Sequence, residues 1–98
     1  MIVPSNGRVV LYHPGPYDTT IRQHDKAKPL AALVTHVWGD RMVNLAVFDS
    51  DGVSHSRTSI NLLQDDDAPM EGSYCEWMAF QKGQAAKTEA LEAAAKSQ

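Results

Sequence analysis

The chain is poor in several features on which common functions depend. It has a single cysteine, Cys75, among 98 residues, so it cannot form a disulfide within itself, and a reducing compartment is expected. No uninterrupted apolar stretch approaches the roughly twenty residues that a membrane-spanning helix needs. The first seven residues, MIVPSNG, lack the basic start and the apolar run of a signal peptide. The sequence therefore predicts a cytoplasmic protein that does not contact a membrane.

Positive charge is also scarce. Nine Lys and Arg residues stand against twelve Asp and Glu residues, which gives a net charge of −3 and argues against a dedicated nucleic-acid-binding protein. The charges are unevenly placed: residues 1–60 hold six basic and five acidic side chains, whereas residues 61–98 hold three and seven. An anionic ligand would therefore be bound by the first part of the chain.

Signatures of catalysis and of metal binding are missing as well. There is no Gly-x-Ser-x-Gly motif and no glycine-rich phosphate loop. The segment Asp49-Ser50-Asp51-Gly52 opens like a calcium loop, but the twelfth loop position is Ile60 instead of glutamate, so we interpret it as a hairpin turn. We interpret the run of three aspartates at 65–67 as a solvated loop. We expect no enzyme activity, no metal and no cofactor.

The histidines leave one possible site open, whereas the cysteine offers none. The four histidines lack the short spacings of zinc sites. His36 and His55 could still meet on adjacent faces of a sheet and share a ligand or a proton. Cys75 is followed by Glu76, and a carboxylate opposes formation of a thiolate, so we expect a small packed thiol at this position.

Between Leu33 and Ile60 the hydrophobic pattern predicts three successive strands, Leu33 to Trp38, Met42 to Phe48 and Val53 to Ile60, joined by two short turns. Val43, Leu45 and Val47 alternate with smaller or more polar residues and are predicted core. The second-strand run from Ala31 to Trp38 is apolar on both parities, which is typical of a strand covered on both faces. The fourth strand is too polar for a central position, so an edge or a wet face is expected.

The remaining strands complete a small barrel. Arg8 to Tyr12 predicts a first strand and Tyr74 to Met78 a fifth. We predict a mainly β fold over residues 1–82, a five-stranded antiparallel meander or barrel of the Src-homology-3 or oligonucleotide-binding type, with the first favoured, and a long functional or disordered loop at 13–29. Residues 83–98 are rich in alanine and charge and predict a C-terminal helix. Its alanine face, Ala86, Ala90, Ala93 and Ala94, would belong either to a solvated tail or to a close helix contact.

A resemblance to a group of known proteins covers the predicted strands and turns. The segments PSNGRVVLY, ALVTHVWGD and VNLAVFD, together with Cys75-Glu76-Trp77-Met78, resemble a group of small uncharacterised proteins encoded by tailed bacteriophages and prophages. Its motifs mark strands and turns, so the resemblance implies a phage accessory protein in the host cytoplasm and transfers no catalytic residue.

Binding remains as the expected activity, and the candidate ligand-binding residues are Arg8, Trp38, Arg41, His55 and Arg57. The favoured hypothesis is a module that binds a host or phage protein and thereby counters host defence. The alternative is an oligomeric sponge that sequesters a small anionic ligand, such as a cyclic nucleotide signal of antiviral immunity. Since a domain of this size buries only about two-thirds of its unfolded surface, a homo-oligomer is also considered.

Overall fold

The structure, a computed structural model, describes residues 1–96 and the side chains of residues 1–92. The predicted helical residues 97–98 and the side chains of Ala93 and Ala94 in the predicted alanine face lie outside this description. In chain order the elements are β1 (Val9–His13), β2 (Leu30–Gly39), β3 (Met42–Phe48), β4 (Ser54–Leu63), β5 (Tyr74–Glu76) and α1 (Ala79–Lys96).

The five strands form a closed barrel in the order β1-β2-β3-β4-β5. The predicted small β-barrel with a C-terminal helix is confirmed. One strand direction differs from the prediction: β5 runs antiparallel to β1 but parallel to β4. A hairpin of two to five residues would have made the β4–β5 pair antiparallel. The longer connection over residues 64–73 instead lets the chain return before β5 begins, so β5 runs in the same direction as β4.

The barrel interior is the single core of the described residues. Val43, Leu45 and Val47 are buried, as predicted from their alternation in β3. Burying each such side chain contributes about 1.5–3 kcal/mol. The other large, fully buried side chains come from every remaining strand, from the first residue after β4 and from the segment before α1: Val10, Tyr12, Val34, Leu62, Gln64, Cys75 and Trp77.

The prediction that β2 is covered on both faces is wrong for its outer face. Ala32 and Val34 are buried inside the barrel, whereas Ala31 and Trp38, on the other face, are exposed. Closing the barrel gives β2 one buried side only. In contrast, β4 carries the expected wet face, since Ser54 and Ser56 are exposed, but it pairs with β3 and β5 and is not an edge strand.

Helix α1 begins at Ala79, earlier than the predicted start at residue 83. The Gln81 side chain accepts a hydrogen bond from the backbone N–H of Met78 at 2.8 Å, which satisfies one of the N–H groups that a helix start leaves free. The molecule measures 54 × 26 × 24 Å, because the helix extends away from the barrel. Among the described residues no helix is both long and apolar enough to cross a membrane.

Candidate functional site

Arg57, one of the predicted ligand-binding residues, is paired with a carboxylate of its own chain. It lies opposite Leu45 in the β3–β4 register and therefore points to the inner face of the sheet, at the barrel end. Its Nε and Nη2 atoms donate to the two carboxylate oxygens of Asp18 at 2.8 and 2.7 Å, and Tyr12 donates to the same carboxylate at 2.5 Å. Arg57 thus fastens the 13–29 loop, which carries Asp18, to the barrel.

The electrostatics of this cluster agree with its geometry. The Arg57 guanidinium lowers the pKa of the Asp18 carboxyl group, and Asp18 in turn raises the pKa of Arg57. Burial, followed by the hydrogen bond to Asp18, raises the pKa of Tyr12. Paired donors and acceptors of this kind stabilise the charged forms of both partners. The arrangement therefore closes one end of the barrel.

His55 is also engaged within the barrel end. Its Nε2 atom lies 2.9 Å from Oδ2 of Asp49, and this imidazole is the main cause of the lowered pKa of the Asp49 carboxyl group. The other carboxylate oxygen accepts the backbone N–H groups of Asp51 and Val53, so Asp49 builds the predicted hairpin turn. His36 faces outward on β2, opposite Asn44, so the structure separates it from His55 and the shared site considered above does not form.

Two further arginines are paired on the surface. Nε of Arg41 donates to Asp67 at 2.9 Å, and Nη1 of Arg22 donates to Asp51 at 3.0 Å. Together with Arg57, three of the four arginines available for a phosphate group are held by carboxylates of the chain itself.

Trp38 is exposed, as expected, but it does not share a patch with His55 and Arg57. It lies on the outer side of β2, with 61 % of its surface exposed, while the two β4 side chains point inward. Its indole N–H donates to Oδ1 of Asn44 at 2.9 Å, and the ring of His36 contacts it edge-on with a centroid distance of 4.5 Å. The ring is therefore held in one orientation by its own chain.

Arg8 is the remaining predicted residue, and it has a different environment. Its guanidinium lies over the ring of the buried Trp77, 5.7 Å from the ring centroid, and it pairs with no carboxylate among the described side chains. The aromatic face stabilises the cation without using its N–H donors. Arg8 can therefore offer these donors to a ligand.

Arg8 forms part of a groove of about 460 Å³ between one end of the barrel and helix α1. On the helix side, Phe80 leaves 72 % of its surface exposed at the groove, and Glu89 and Glu92 add negative charge. Met1 and Ile2 complete the barrel side, and the other helical positions are Gln81, Gln84, Ala85 and Thr88.

Two glutamines fix the walls of this groove. The buried Gln64 accepts hydrogen bonds from the backbone N–H of Ile2 and the indole N–H of Trp77, both at 3.2 Å, and its amide donates to the backbone oxygens of Ile2 and Asp40. Gln81 donates to the backbone oxygen of Val9 at 3.0 Å, which ties the first turn of α1 to β1. The groove is therefore built by the fold and needs no ligand to form.

The sequence did not point to the helix side of this groove. The sequence pattern places Phe80 before the helix predicted over residues 83–98, because the composition turns to alanine and charge only after Phe80. Phe80 and Leu91 are about three helical turns apart and so lie on one side of a helix that starts at Ala79, but only Phe80 lines the groove. Both are 72 % exposed.

The groove combines the unpaired cation of Arg8, an exposed aromatic ring and two carboxylates on an open surface, and one of these carboxylates, Glu89, accepts a hydrogen bond from the Met1 ammonium group at 3.4 Å. Such a surface suits a protein segment with an apolar anchor and side chains of both charges, whereas a compact phosphate ligand would meet one arginine only. Comparison of the chain with protein-family models, with curated proteins and with solved structures finds no match.

Proposed function

We propose that the protein is a non-enzymatic binding module that holds a segment of another protein in the groove between the barrel and α1. The observation that carries this proposal is Phe80, a large apolar side chain left 72 % exposed beside the unpaired Arg8. Phenylalanine and arginine are both enriched in protein interfaces, and arginine is among the residue types that most often dominate their binding energy.

The charge of the groove defines the partner segment further. A carboxylate of the partner would meet Arg8, and a basic side chain would meet Glu92, because Glu89 already accepts a hydrogen bond from the Met1 ammonium group at 3.4 Å. An apolar side chain between them would cover Phe80. The resemblance to phage accessory proteins supports a host or phage protein as the source of this segment, and a role in countering host defence.

Sequestration of a small anionic nucleotide is supported less well. Arg22, Arg41 and Arg57 are paired with Asp51, Asp67 and Asp18, so a nucleotide would have to displace a carboxylate to reach them. Breaking a partly buried pair such as Arg57–Asp18 costs energy that ligand binding would have to supply.

The test compares two variants that each replace an exposed aromatic residue by aspartate. Phe80→Asp removes the aromatic ring of the groove, and Tyr17→Asp removes a ring that is 98 % exposed on the 13–29 loop. Since a negative charge in the first turn suits a helix, Phe80→Asp should leave the fold intact. Tagged forms are used to capture proteins from a phage-infected bacterial lysate, and the captured protein is then purified and titrated by calorimetry.

We expect the wild-type protein and Tyr17→Asp to bind the same purified partner, and Phe80→Asp to bind at least tenfold more weakly, in line with the loss of an interface hot spot of about 1.4 kcal/mol or more. Equal binding by both variants would rule out the groove as the site. Calorimetric titration with a panel of cyclic nucleotides should give no heat, whereas saturable heat that is lost in Arg57→Ala would support the nucleotide alternative instead.

A further inference from the structure

The outer wall of the barrel carries almost no charge. Of the nine basic and twelve acidic residues of the chain, only Arg57 and Glu76 lie within strands. Arg57 points inward to Asp18, so the outward positions of β1, β2, β3 and β4 hold no Lys, Arg, Asp or Glu. The exposed surfaces of soluble domains usually mix charged residues of both signs with polar ones. Glu76 faces outward from β5 beside Leu11 and forms one border of this surface. An uncharged surface of this extent calls for an explanation.

On β1, β2 and β3 this wall is also apolar. The strand register places Val9 beside Leu33 and Leu33 beside Ala46, and it places Leu11 beside Ala31. None of these five side chains belongs to the interior core. Toward the other end of the wall lie Trp38 and Met42, and the complete barrel wall consists of Val9, Leu11, Ala31, Leu33, His36, Trp38, Met42, Asn44, Ala46 and Phe48.

The described part of the chain leaves most of this barrel wall uncovered, since only Ala31 and Phe48 line a pocket together with His24, Asp25 and Lys28 of the 13–29 loop. Helix α1 projects from the barrel end, and its start is joined to β1 through the hydrogen bond from Gln81 to the backbone of Val9. The substantial contacts between elements are all between paired strands. Val9, Trp38 and Met42 are 36, 61 and 37 % exposed. A contiguous apolar surface of this kind marks an interaction site.

We propose that the barrel wall is the face on which a second copy of this chain docks, forming a symmetric dimer. A surface without charges cannot select a charged partner, and two such surfaces meet without bringing like charges together. In a twofold contact the same residues face each other, so an uncharged wall is electrostatically compatible with itself.

The shape of the wall agrees with a twofold arrangement. Trp38 is the largest side chain and stands near one end of β2, while Ala31 stands near the other end. An antiparallel arrangement of two walls places the bulky ring of each copy over the small residue of the other. Because Asn44 and His36 already hold the Trp38 ring in place, docking costs little conformational entropy at this side chain.

The area is sufficient for a weak dimer. From Ala31 to Trp38, β2 spans about 23 Å, and three strands with their side chains span about 15 Å. Because protruding side chains make the accessible area larger than this flat outline, the two walls together bury about 1,000 Å². This is the lower bound for a specific interface. We therefore expect self-association with a dissociation constant on the order of micromolar.

The test is analytical ultracentrifugation of the purified full chain over concentrations from about 1 μM to about 1 mM, a range that begins near such a constant and extends far above it. Ala46 lies near the centre of the wall, so Ala46→Lys and Ala46→Glu each bring two like charges together and should weaken self-association at least tenfold. Mixing the two variants in equal amounts should restore dimers. Trp38→Thr, at the end of the wall, should weaken them as well.

Matched controls separate this proposal from loss of folding and from the groove. Val53→Lys adds a charge at a 55 % exposed position outside the wall, and Phe80→Asp alters the groove, so both should dimerise like the wild type. Circular dichroism and urea unfolding of each variant verify the fold. A wild-type protein that stays monomeric at the highest concentration, or Ala46 variants that dimerise unchanged, would overturn the proposal, whatever other molecule then covered the wall.

Discussion

The Arg57 guanidinium holds the Asp18 carboxylate in a two-pronged hydrogen bond, with Nε to Oδ2 at 2.8 Å and Nη2 to Oδ1 at 2.7 Å. These residues are 39 positions apart in sequence. One lies in β4 and the other in the 13–29 loop, so the pair closes a loop over the barrel end. Tyr12 adds a third hydrogen bond from the core to the same carboxylate.

Replacing Arg57 by alanine should destabilise the protein by about 2 kcal/mol, because Asp18 would be left partly buried without its cation. The free energy of unfolding, measured with urea at neutral pH, checks this. Arg22→Ala is the matched control, since Arg22 and Asp51 form a pair on the surface with the arginine side chain 75 % exposed. A surface pair contributes at most about 1 kcal/mol. Equal losses in the two variants would contradict a special role for Arg57.

The same pair predicts how stability depends on pH. Arg57 lowers the pKa of Asp18 in the folded protein below its ordinary value. The pair therefore contributes its full stability above the unfolded pKa, about 3.9, and this contribution is lost as the pH falls through the lower folded pKa. Urea unfolding between about pH 2 and pH 6 should show this acid loss in the wild type, and a smaller loss in Asp18→Asn. If Asp18→Asn lost as much stability at low pH as the wild type, Asp18 would not be the group responsible for the acid loss.

The sequence allowed much of the fold to be predicted, for local reasons. Alternation in β3 identified Val43, Leu45 and Val47 as core, and the Asp-Gly turn at 51–52 fixed the β3–β4 hairpin. These features depend on neighbouring residues only. The parallel β4–β5 pair depends on how the chain returns over residues 64–73, and no local pattern specifies that path.

The candidate site was harder to predict from the sequence, because ion pairs between residues far apart in the chain decide which charged side chains remain free. Nothing in the sequence distinguishes Arg8 from Arg57, yet Arg57 is paired with Asp18, whereas Arg8 lies over Trp77 and keeps its N–H donors free. Trp38 was correctly expected to be exposed, but the bulges near Val34 and Gly39 could not be foreseen. They decide which outer positions of β2 face the same way.

Gln64 provides a further test of the core, because it is a polar side chain with only 2 % of its surface exposed. In Gln64→Leu the indole N–H of Trp77 and the backbone groups of Ile2 and Asp40 would lose their partners. Each buried unsatisfied group costs about 1–3 kcal/mol, so we expect a total loss of about 3 kcal/mol or more in urea unfolding. Gln84→Leu, at an exposed helical position, should change the stability by less than about 0.5 kcal/mol. A stable Gln64→Leu protein would show that the network is dispensable.

Cys75 should be chemically inert in the folded protein. The side chain is fully buried in β5, and burial raises the pKa of its thiol to about 12. At pH 8 the thiolate fraction is then on the order of one in ten thousand. A thiol reagent such as dithionitrobenzoate should label Cys75 only on the timescale of unfolding, and rapidly in concentrated urea. Rapid labelling of the folded protein would contradict the burial of β5.

The final prediction concerns Gly15, where the 13–29 loop crosses close to the segment before β5. A Cβ atom at this position would lie 2.7 Å from the backbone nitrogen of Ser73 and 3.0 Å from the backbone carbonyl carbon of Gly72. Since backbone atoms cannot move aside as a flexible side chain can, Gly15→Ala should destabilise the protein by about 1–3 kcal/mol. It should also disturb the hydrogen bond from the Gly15 N–H to the Ser73 hydroxyl, which is 2.8 Å long.

Gly39→Ala is the control, because a Cβ atom there meets nothing within 4 Å. It should leave stability unchanged or raise it by about 0.4–1 kcal/mol, since alanine reduces the freedom of the unfolded chain. Thermal and urea unfolding of both variants measure the difference. If Gly15→Ala were as stable as Gly39→Ala, the loop could not pass as close to Ser73 as the structure places it, and the closure of the barrel end through Asp18 and Arg57 would lose its second point of attachment.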